Sequence, residues 1–69
     1  MSKSFKKLRE DANLNTKKAS EKLNISLSML YKIEQGRRQP SAKLIRKMSN
    51  VYKCSTDDIF LALKSLKVI

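Results

Sequence analysis

The stretch from Ser26 to Gln35 places an uncommon mixture of side chains on one side of a predicted helix. At 100° per residue, Ser26, Leu30 and Ile33 fall together on the side expected to be buried. The opposite side carries a hydroxyl, an amide, an aromatic ring, an aliphatic chain and one charge, in Leu27, Ser28, Tyr31, Lys32 and Gln35. Hydrogen-bonding groups mixed with apolar atoms suit the edges of DNA bases, including thymine methyl groups. The alternative is an ordinary solvent-facing surface.

Several basic side chains stand where helix electrostatics disfavours them. Helix N-termini carry partial positive charge and favour acidic residues by about 0.3–1 kcal/mol each, as at Asp57 and Asp58. Lys17, Lys18 and Lys43 instead occupy the first turns of two predicted helices, which is favourable if a phosphate shares the site. The predicted phosphate contacts are Thr16, Lys17, Ser26, Arg37, Arg38 and Lys43. The alternative is that the lysines extend into water at small cost.

Composition narrows the possible functions. The 69 residues include 16 Lys+Arg, 6 Asp+Glu and no His, a net charge of +10, which favours an anionic partner: nucleic acid first, a membrane surface second. With no His and a single Cys, Cys54, neither a zinc site nor an intrachain disulfide is expected, and no catalytic constellation is present. We predict no enzyme activity, no metal, no cofactor and no small-molecule ligand.

The same counts bear on location. The longest apolar run, Ile59–Leu63, is far shorter than the ~20 residues that span a bilayer. No apolar stretch follows the charges of the first residues, so we expect no secretory signal. A lone thiol fits a reducing compartment, and a cytoplasmic location is predicted.

Capping signals predict one all-α domain over residues 1–69, with helices at about 3–12, 16–23, 27–35 and 42–52 and a fifth from the Ser55–Asp58 capping box through Leu63, at most to Leu66. The predicted N-caps are Asn15, Ser26 and Ser41, and the predicted helix ends are Asn13, Asn24 and Gly36. The expected core residues are Phe5, Leu8, Ala12, Ala19, Leu23, Leu30, Ile33, Ala42, Ile45, Met48, Tyr52, Phe60 and Leu63.

The segment Leu14–Ser41 resembles the Cro/repressor (XRE-like) helix-turn-helix family. The most specific part is Ile33-Glu34-Gln35-Gly36 followed by Pro40-Ser41, and the similarity extends over residues 5–60. The resemblance implies a compact five-helix, lambda-repressor-like DNA-binding domain whose helices 2 and 3 form the motif. It also implies that Arg9 pairs with Glu34 and that Cys54 occupies a core position.

The implied function is a sequence-specific transcriptional regulator of double-stranded DNA. We expect a small phage- or mobile-element-type repressor, bacterial or phage-encoded and nucleoid-associated when bound. Leu27, Ser28 and Lys32 are the predicted base contacts, and Tyr31 ranks second because it can reach the DNA backbone instead. A protein-interaction module, antitoxin-like or an anti-repressor partner, is the alternative function; a membrane-surface binder is less favoured because the charge is spread over all helices.

Four departures from the family pattern fall within the motif. Thr16 replaces a common Gln and leaves base contact there in doubt, and Leu27 replaces a polar residue and suggests a methyl or partner contact. Asn24 stands for the turn glycine, which is conservative because Asn tolerates positive φ. Ser20 replaces Ala and still permits close helix packing.

The C-terminal extension, residues 61–69, is more apolar than a small core requires. We predict a homodimer whose contacts are Leu61, Leu66, Val68 and Ile69. It would bind an inverted-repeat operator and place the third helix of each copy in successive major grooves, about 34–36 Å apart. The alternative is that this extension folds back over its own domain or frays.

Overall fold

The computed structural model describes residues 3–65, and over this range the chain forms five α-helices and no strand. They are α1 (Phe5–Asp11), α2 (Thr16–Leu23), α3 (Leu27–Glu34), α4 (Ala42–Tyr52) and α5 (Thr56–Ser65). The predicted all-α fold is confirmed. The helix α1 begins later than predicted because Ser4 is its N-cap, and α3 ends one residue earlier because Gln35 is its C-cap.

Side-chain caps fix where the helices begin. The oxygens of Asn15, Ser26 and Ser41 accept backbone N–H groups three residues later, at 2.8, 3.1 and 3.1 Å. Ser55 and Asp58 form the reciprocal capping box, with N–H···O distances of 3.1 and 3.2 Å. Each cap satisfies a backbone donor that the helix itself leaves unpaired, so these predicted starts are correct.

Residues with positive φ end or separate the helices. Asn13 (φ 61°), Asn24 (φ 58°) and Gly36 (φ 77°) adopt the left-handed conformation that their types tolerate. Lys53 also has positive φ, 54°, and ends α4 although Lys carries no sequence signal for this conformation.

All five helices contribute to one core. Its buried residues are Phe5, Leu8, Ala19, Leu23, Leu30, Ile33, Leu44, Ile45, Met48, Tyr52, Ile59 and Ala62. Ala12, Leu63 and Cys54 are half-buried against it, and burial raises the pKa of the Cys54 thiol. The placement of Cys54 fits a small packing residue.

Three predicted burial assignments are wrong. Ala42 and Phe60 are exposed, and their places in the core are taken by Leu44 and by Ile59 with Ala62. Ser26 is exposed as well, because its hydroxyl turns back to cap α3. In α5 the phase was undetermined because five apolar residues follow one another from Ile59 to Leu63.

Within residues 3–65, no helix combines the length and hydropathy required to cross a bilayer. The same part of the chain holds no group of His, Cys, Asp and Glu side chains suited to a metal ion.

Candidate nucleic-acid interface

A short turn joins α2 to α3, and a small polar residue is buried within α2. Asn24 supplies the left-handed turn, and the Ile25 N–H donates to the Ser20 carbonyl at 3.0 Å. Ser20 is buried, and its hydroxyl donates to the Lys17 carbonyl at 2.8 Å. Its polar group is therefore satisfied within α2, so a hydroxyl is tolerated at this buried position.

The third helix turns one side to the core and the other outward. Leu30 and Ile33 are fully buried, whereas Leu27 is 38% and Tyr31 44% exposed. We call the exposed side the outer face of α3; it consists of Leu27, Ser28, Tyr31, Lys32 and Gln35. With Arg37, these residues line an open depression. Such a face can approach another surface closely and offer both polar and apolar contacts.

Glu34 lies at the end of α3, but its carboxylate is directed toward α1. Arg9 Nε donates to Glu34 Oε2 at 2.9 Å, and Arg9 Nη2 donates to Glu34 Oε1 at 3.4 Å. The guanidinium also donates through Nη1 to the Leu14 carbonyl at 3.1 Å. The pairing implied by the family resemblance is therefore present. It neutralises the carboxylate of α3 that would otherwise repel an anion, and the hydrogen bond to Glu34 raises the pKa of Arg9.

Five exposed cations occur at the starts of α2 and α4 and in the segment after α3. We call them the basic rim; they are Lys17, Lys18, Arg37, Arg38 and Lys43, and each is exposed. In the described part of the chain none makes an ion pair, although Arg37 Nη1 donates weakly to Gln35 Oε1 at 3.5 Å. No acidic side chain occupies the first turn of α2 or α4. The rim charges are therefore available to an external anion.

The hydroxyl groups of Ser26 and Thr16 differ in the hydrogen bonds that they form. The Ser26 oxygen accepts the Met29 N–H, so its O–H proton stays available as a donor. The Thr16 hydroxyl lies 3.4 Å from the Tyr31 hydroxyl, which links the start of α2 to the outer face of α3. No local pattern of residues predicts this contact.

A further contact missed from the sequence uses Lys47. Its ammonium donates to the Leu23 carbonyl at 3.3 Å, across from α4 to the end of α2. A cation at a helix C-terminus pairs with carbonyls that lack helical partners. Lys47 thus stabilises the position of the motif on α4. This role could not be predicted from the sequence, because nothing distinguishes Lys47 from the other lysines of the chain.

The predicted dimer contacts are only partly described. Leu61 is 45% exposed and the neighbouring Phe60 52% exposed. Leu66, Val68 and Ile69 lie outside the described residues.

Two short helices joined by a three-residue turn, with the outer face of the second exposed, define a helix-turn-helix protein. A family model described as "Helix-turn-helix" matches residues 5–59, and the chain belongs to this family. The family is one of DNA-binding domains of transcription regulators, not a class of enzymes.

A curated relative agrees. The HTH-type transcriptional regulator ImmR of Bacillus subtilis (strain 168) is 39% identical over 57 residues, which are 83% of this chain and 45% of ImmR. The chain therefore spans less than half the length of that relative. No solved structure matches the chain.

Proposed function

We propose that this chain is a sequence-specific transcriptional regulator that binds double-stranded DNA and acts as a small repressor of the phage or mobile-element type. Helix α3, with Gln35, enters the major groove. One observation carries the proposal: the outer face of α3 is exposed and bears a single charge, while the cations at the starts of α2 and α4 and after α3 form no ion pair within the described residues. The setting of this activity is the bacterial cytoplasm, at the nucleoid.

Base recognition falls to the outer face. Lys32 can donate to guanine O6 and N7, and the Ser28 hydroxyl can donate or accept. Leu27 offers apolar atoms to a thymine methyl group. Its exposure of 38% supports this role, since a Leu at the first turn of a helix gains nothing from facing water alone.

Phosphate contacts fix the orientation of the domain on the duplex. The residues assigned to them are Thr16, Lys17, Ser26, Arg37, Arg38 and Lys43. The four basic side chains among them form no ion pair within the described residues, and the Ser26 hydroxyl retains its proton for donation. A net charge of +10 adds attraction that is independent of sequence.

The first experiment is a titration of the protein with random duplex DNA at two salt concentrations, followed by selection of bound sequences from a random pool. We expect affinity to fall steeply with salt and the selected sequences to share an inverted repeat. Binding that does not depend on salt would contradict the proposal and favour the protein-interaction alternative. Tighter binding to anionic vesicles than to DNA would favour a membrane surface.

A pair of variants then separates the two kinds of contact. Lys32→Ala is expected to relax base preference at one or two positions of the selected site. Lys43→Ala is expected to weaken binding to all duplexes alike and to reduce the slope of log K against log salt by about one. Both changes remove one charge, so each variant is the control for the other. The same loss on selected and random DNA for both would overturn the division of roles.

A further inference from the structure

The hydroxyl groups of Thr16 and Tyr31 form a pair that joins the two helices of the motif. Their oxygens are 3.4 Å apart, and within residues 3–65 no other hydrogen bond of either hydroxyl is observed. Oxygen–oxygen hydrogen bonds are usually about 2.7–2.8 Å long. The pair is therefore close but weakly bonded, and little is lost if both hydroxyls turn to another acceptor.

The separation suits an acceptor that lies between them. An oxygen about 2.7 Å from each hydroxyl completes a triangle whose third side is the observed 3.4 Å. Both O–H groups can then donate at once, which they cannot do to each other. An anionic oxygen would be bound more strongly there than a neutral one, because hydrogen bonds to a charged oxygen are stronger than those between neutral groups.

The direction of the Tyr31 side chain also bears on its role. Its hydroxyl lies beside the first residue of α2, and in helix-turn-helix complexes the first helix of the motif crosses the DNA backbone while the second enters the groove. In that docking geometry, a hydroxyl beside the start of α2 lies on the side of the outer face that is nearer the DNA backbone.

We propose that Thr16 and Tyr31 bind one and the same DNA phosphate, so that Tyr31 fixes the placement of α3 in the groove and does not read a base. This assignment rests on the proposed function. It makes the two helices of the motif share a single anchoring point, and it leaves Leu27, Ser28 and Lys32 as the base contacts.

The test uses the duplex obtained by selection and a series of copies, each with one phosphate replaced by a neutral methylphosphonate. Binding of the full chain is measured for the original protein and for Thr16→Val and Tyr31→Phe, which remove only the hydroxyl donors. We expect each variant to bind the unmodified duplex about tenfold more weakly. The penalty for the methylphosphonate should shrink at one linkage, the same one for both variants.

Two control variants accompany the series. Ser28→Ala should alter preference at a base pair and leave the profile of methylphosphonate penalties unchanged. Tyr52→Phe removes a tyrosine hydroxyl from the core and should leave binding unchanged. Thermal melting followed by circular dichroism verifies that the exposed substitutions leave the fold intact.

The experiment distinguishes failure of the shared-phosphate proposal from failure of the proposed function. Loss of the penalty at different linkages, or a change of base preference in Tyr31→Phe, would overturn the shared phosphate while DNA binding and the proposed function stand. The shared phosphate would also be overturned if neither variant altered any linkage. Failure of the original protein to select any sequence would instead overturn the proposed function.

Discussion

Among the ion pairs of the described residues, that of Arg9 and Glu34 is the most buried. Only 8% of the Arg9 side chain and 11% of the Glu34 side chain are exposed, so each charge depends on the other for its stabilisation. The same guanidinium holds the Leu14 carbonyl, just before the residue that caps α2. One side chain therefore ties α1, the start of α2 and the end of α3 together.

Removing one member of this pair is expected to be costly. Glu34→Gln keeps the size of the side chain but leaves the buried Arg9 charge unpaired, which we expect to lower the free energy of unfolding by about 3–5 kcal/mol. Urea unfolding followed by circular dichroism measures this change.

The matched control is Asp11→Asn. Asp11 also pairs with basic side chains, Lys3 and Lys7, at 2.7 and 3.3 Å, and the hydrogen bond from Lys3 lowers the pKa of Asp11. This carboxylate is exposed, so water replaces its partners and the loss should be far smaller. If the two variants lowered the free energy of unfolding equally, burial would not explain the contribution of the Arg9–Glu34 pair.

Tyr52 presents the opposite case, a buried polar atom with no partner. Within the described residues its hydroxyl makes no hydrogen bond, and burial, followed by the charge of Glu34, raises the pKa of Tyr52 above its ordinary value of 10.0. Tyr52→Phe should leave stability unchanged or raise it by about 1 kcal/mol, because it removes an unsatisfied group.

The sign of the pH effect follows from the raised pKa. Below about pH 10 the phenol is neutral in both states. Above it the unfolded chain loses the proton while the folded chain keeps it, so stability falls as pH rises. Denaturant unfolding from pH 8 to 11 should show a smaller alkaline loss in Tyr52→Phe than in the original protein. A parallel loss in both would show that the Tyr52 hydroxyl does not contribute.

At the scale of helices, the starts were predictable because each is set by a local side chain. Asn15, Ser26 and Ser41 cap the helices that they precede, and capping depends on residues only three positions apart. Asn13, Asn24 and Gly36 were predictable as left-handed residues for the same reason: the conformation is a property of the residue type.

Three features of the structure could not be predicted from the sequence. They are the burial pattern of α5, the Thr16–Tyr31 contact and the role of Lys47. Ile59–Leu63 is apolar throughout, so only the packing of α5 against the rest of the core selects Ile59 and Ala62 over Phe60. The Thr16–Tyr31 contact joins residues separated by 15 positions in the sequence, and the Lys47–Leu23 contact joins residues separated by 24. Local sequence patterns carry no information on contacts between residues so far apart in the chain. The outer face of α3 was predictable because Leu30 and Ile33 set the phase of that helix.

Lys53 offers a test of turn chemistry at the end of α4. Its φ of 54° costs a residue with a Cβ atom about 1 kcal/mol that glycine does not incur. Lys53→Gly should therefore raise the free energy of unfolding by up to about 1 kcal/mol, as measured by thermal and urea unfolding. Lys53→Ala removes the same charge and keeps the Cβ atom, so it should bring no gain. If the two variants gain stability equally, charge repulsion and not backbone strain is the cause.

The charge distribution and the dimensions of the whole domain both favour binding to DNA as a two-fold dimer. Among the described residues, the basic side chains that form ion pairs are Lys3, Lys7 and Arg9, so the charges of the basic rim are not neutralised within the domain. The domain measures 31 × 22 × 20 Å. In a two-fold dimer whose α3 helices are about 34–36 Å apart, each helix lies about 17 Å from the axis. A domain of this size can span that distance.

Two exposed apolar residues of α5 support the prediction of a homodimer. Phe60 and Leu61 expose 52% and 45% of their surface on adjacent positions of α5, and pairing of two copies through this helix would remove both from water. The dimer contacts predicted from the sequence are Leu61, Leu66, Val68 and Ile69, whereas Phe60 was expected in the core. Phe60→Ser and Leu61→Ser are expected to shift a dimer toward monomer in sedimentation equilibrium, and to weaken binding to a full inverted repeat by more than tenfold.

Binding to an isolated half-site distinguishes this effect from damage to the DNA-binding surface. In either variant it should stay within about twofold of the original protein, because the contacts of α3 are unchanged and only the gain from joining two binding events is lost. Lys64→Ser, on the same helix but without loss of apolar surface, is the matched control and should sediment as the original protein does. A protein that stays monomeric at all concentrations, and binds both halves of the repeat independently, would contradict the dimer while leaving each copy a competent reader of one half-site.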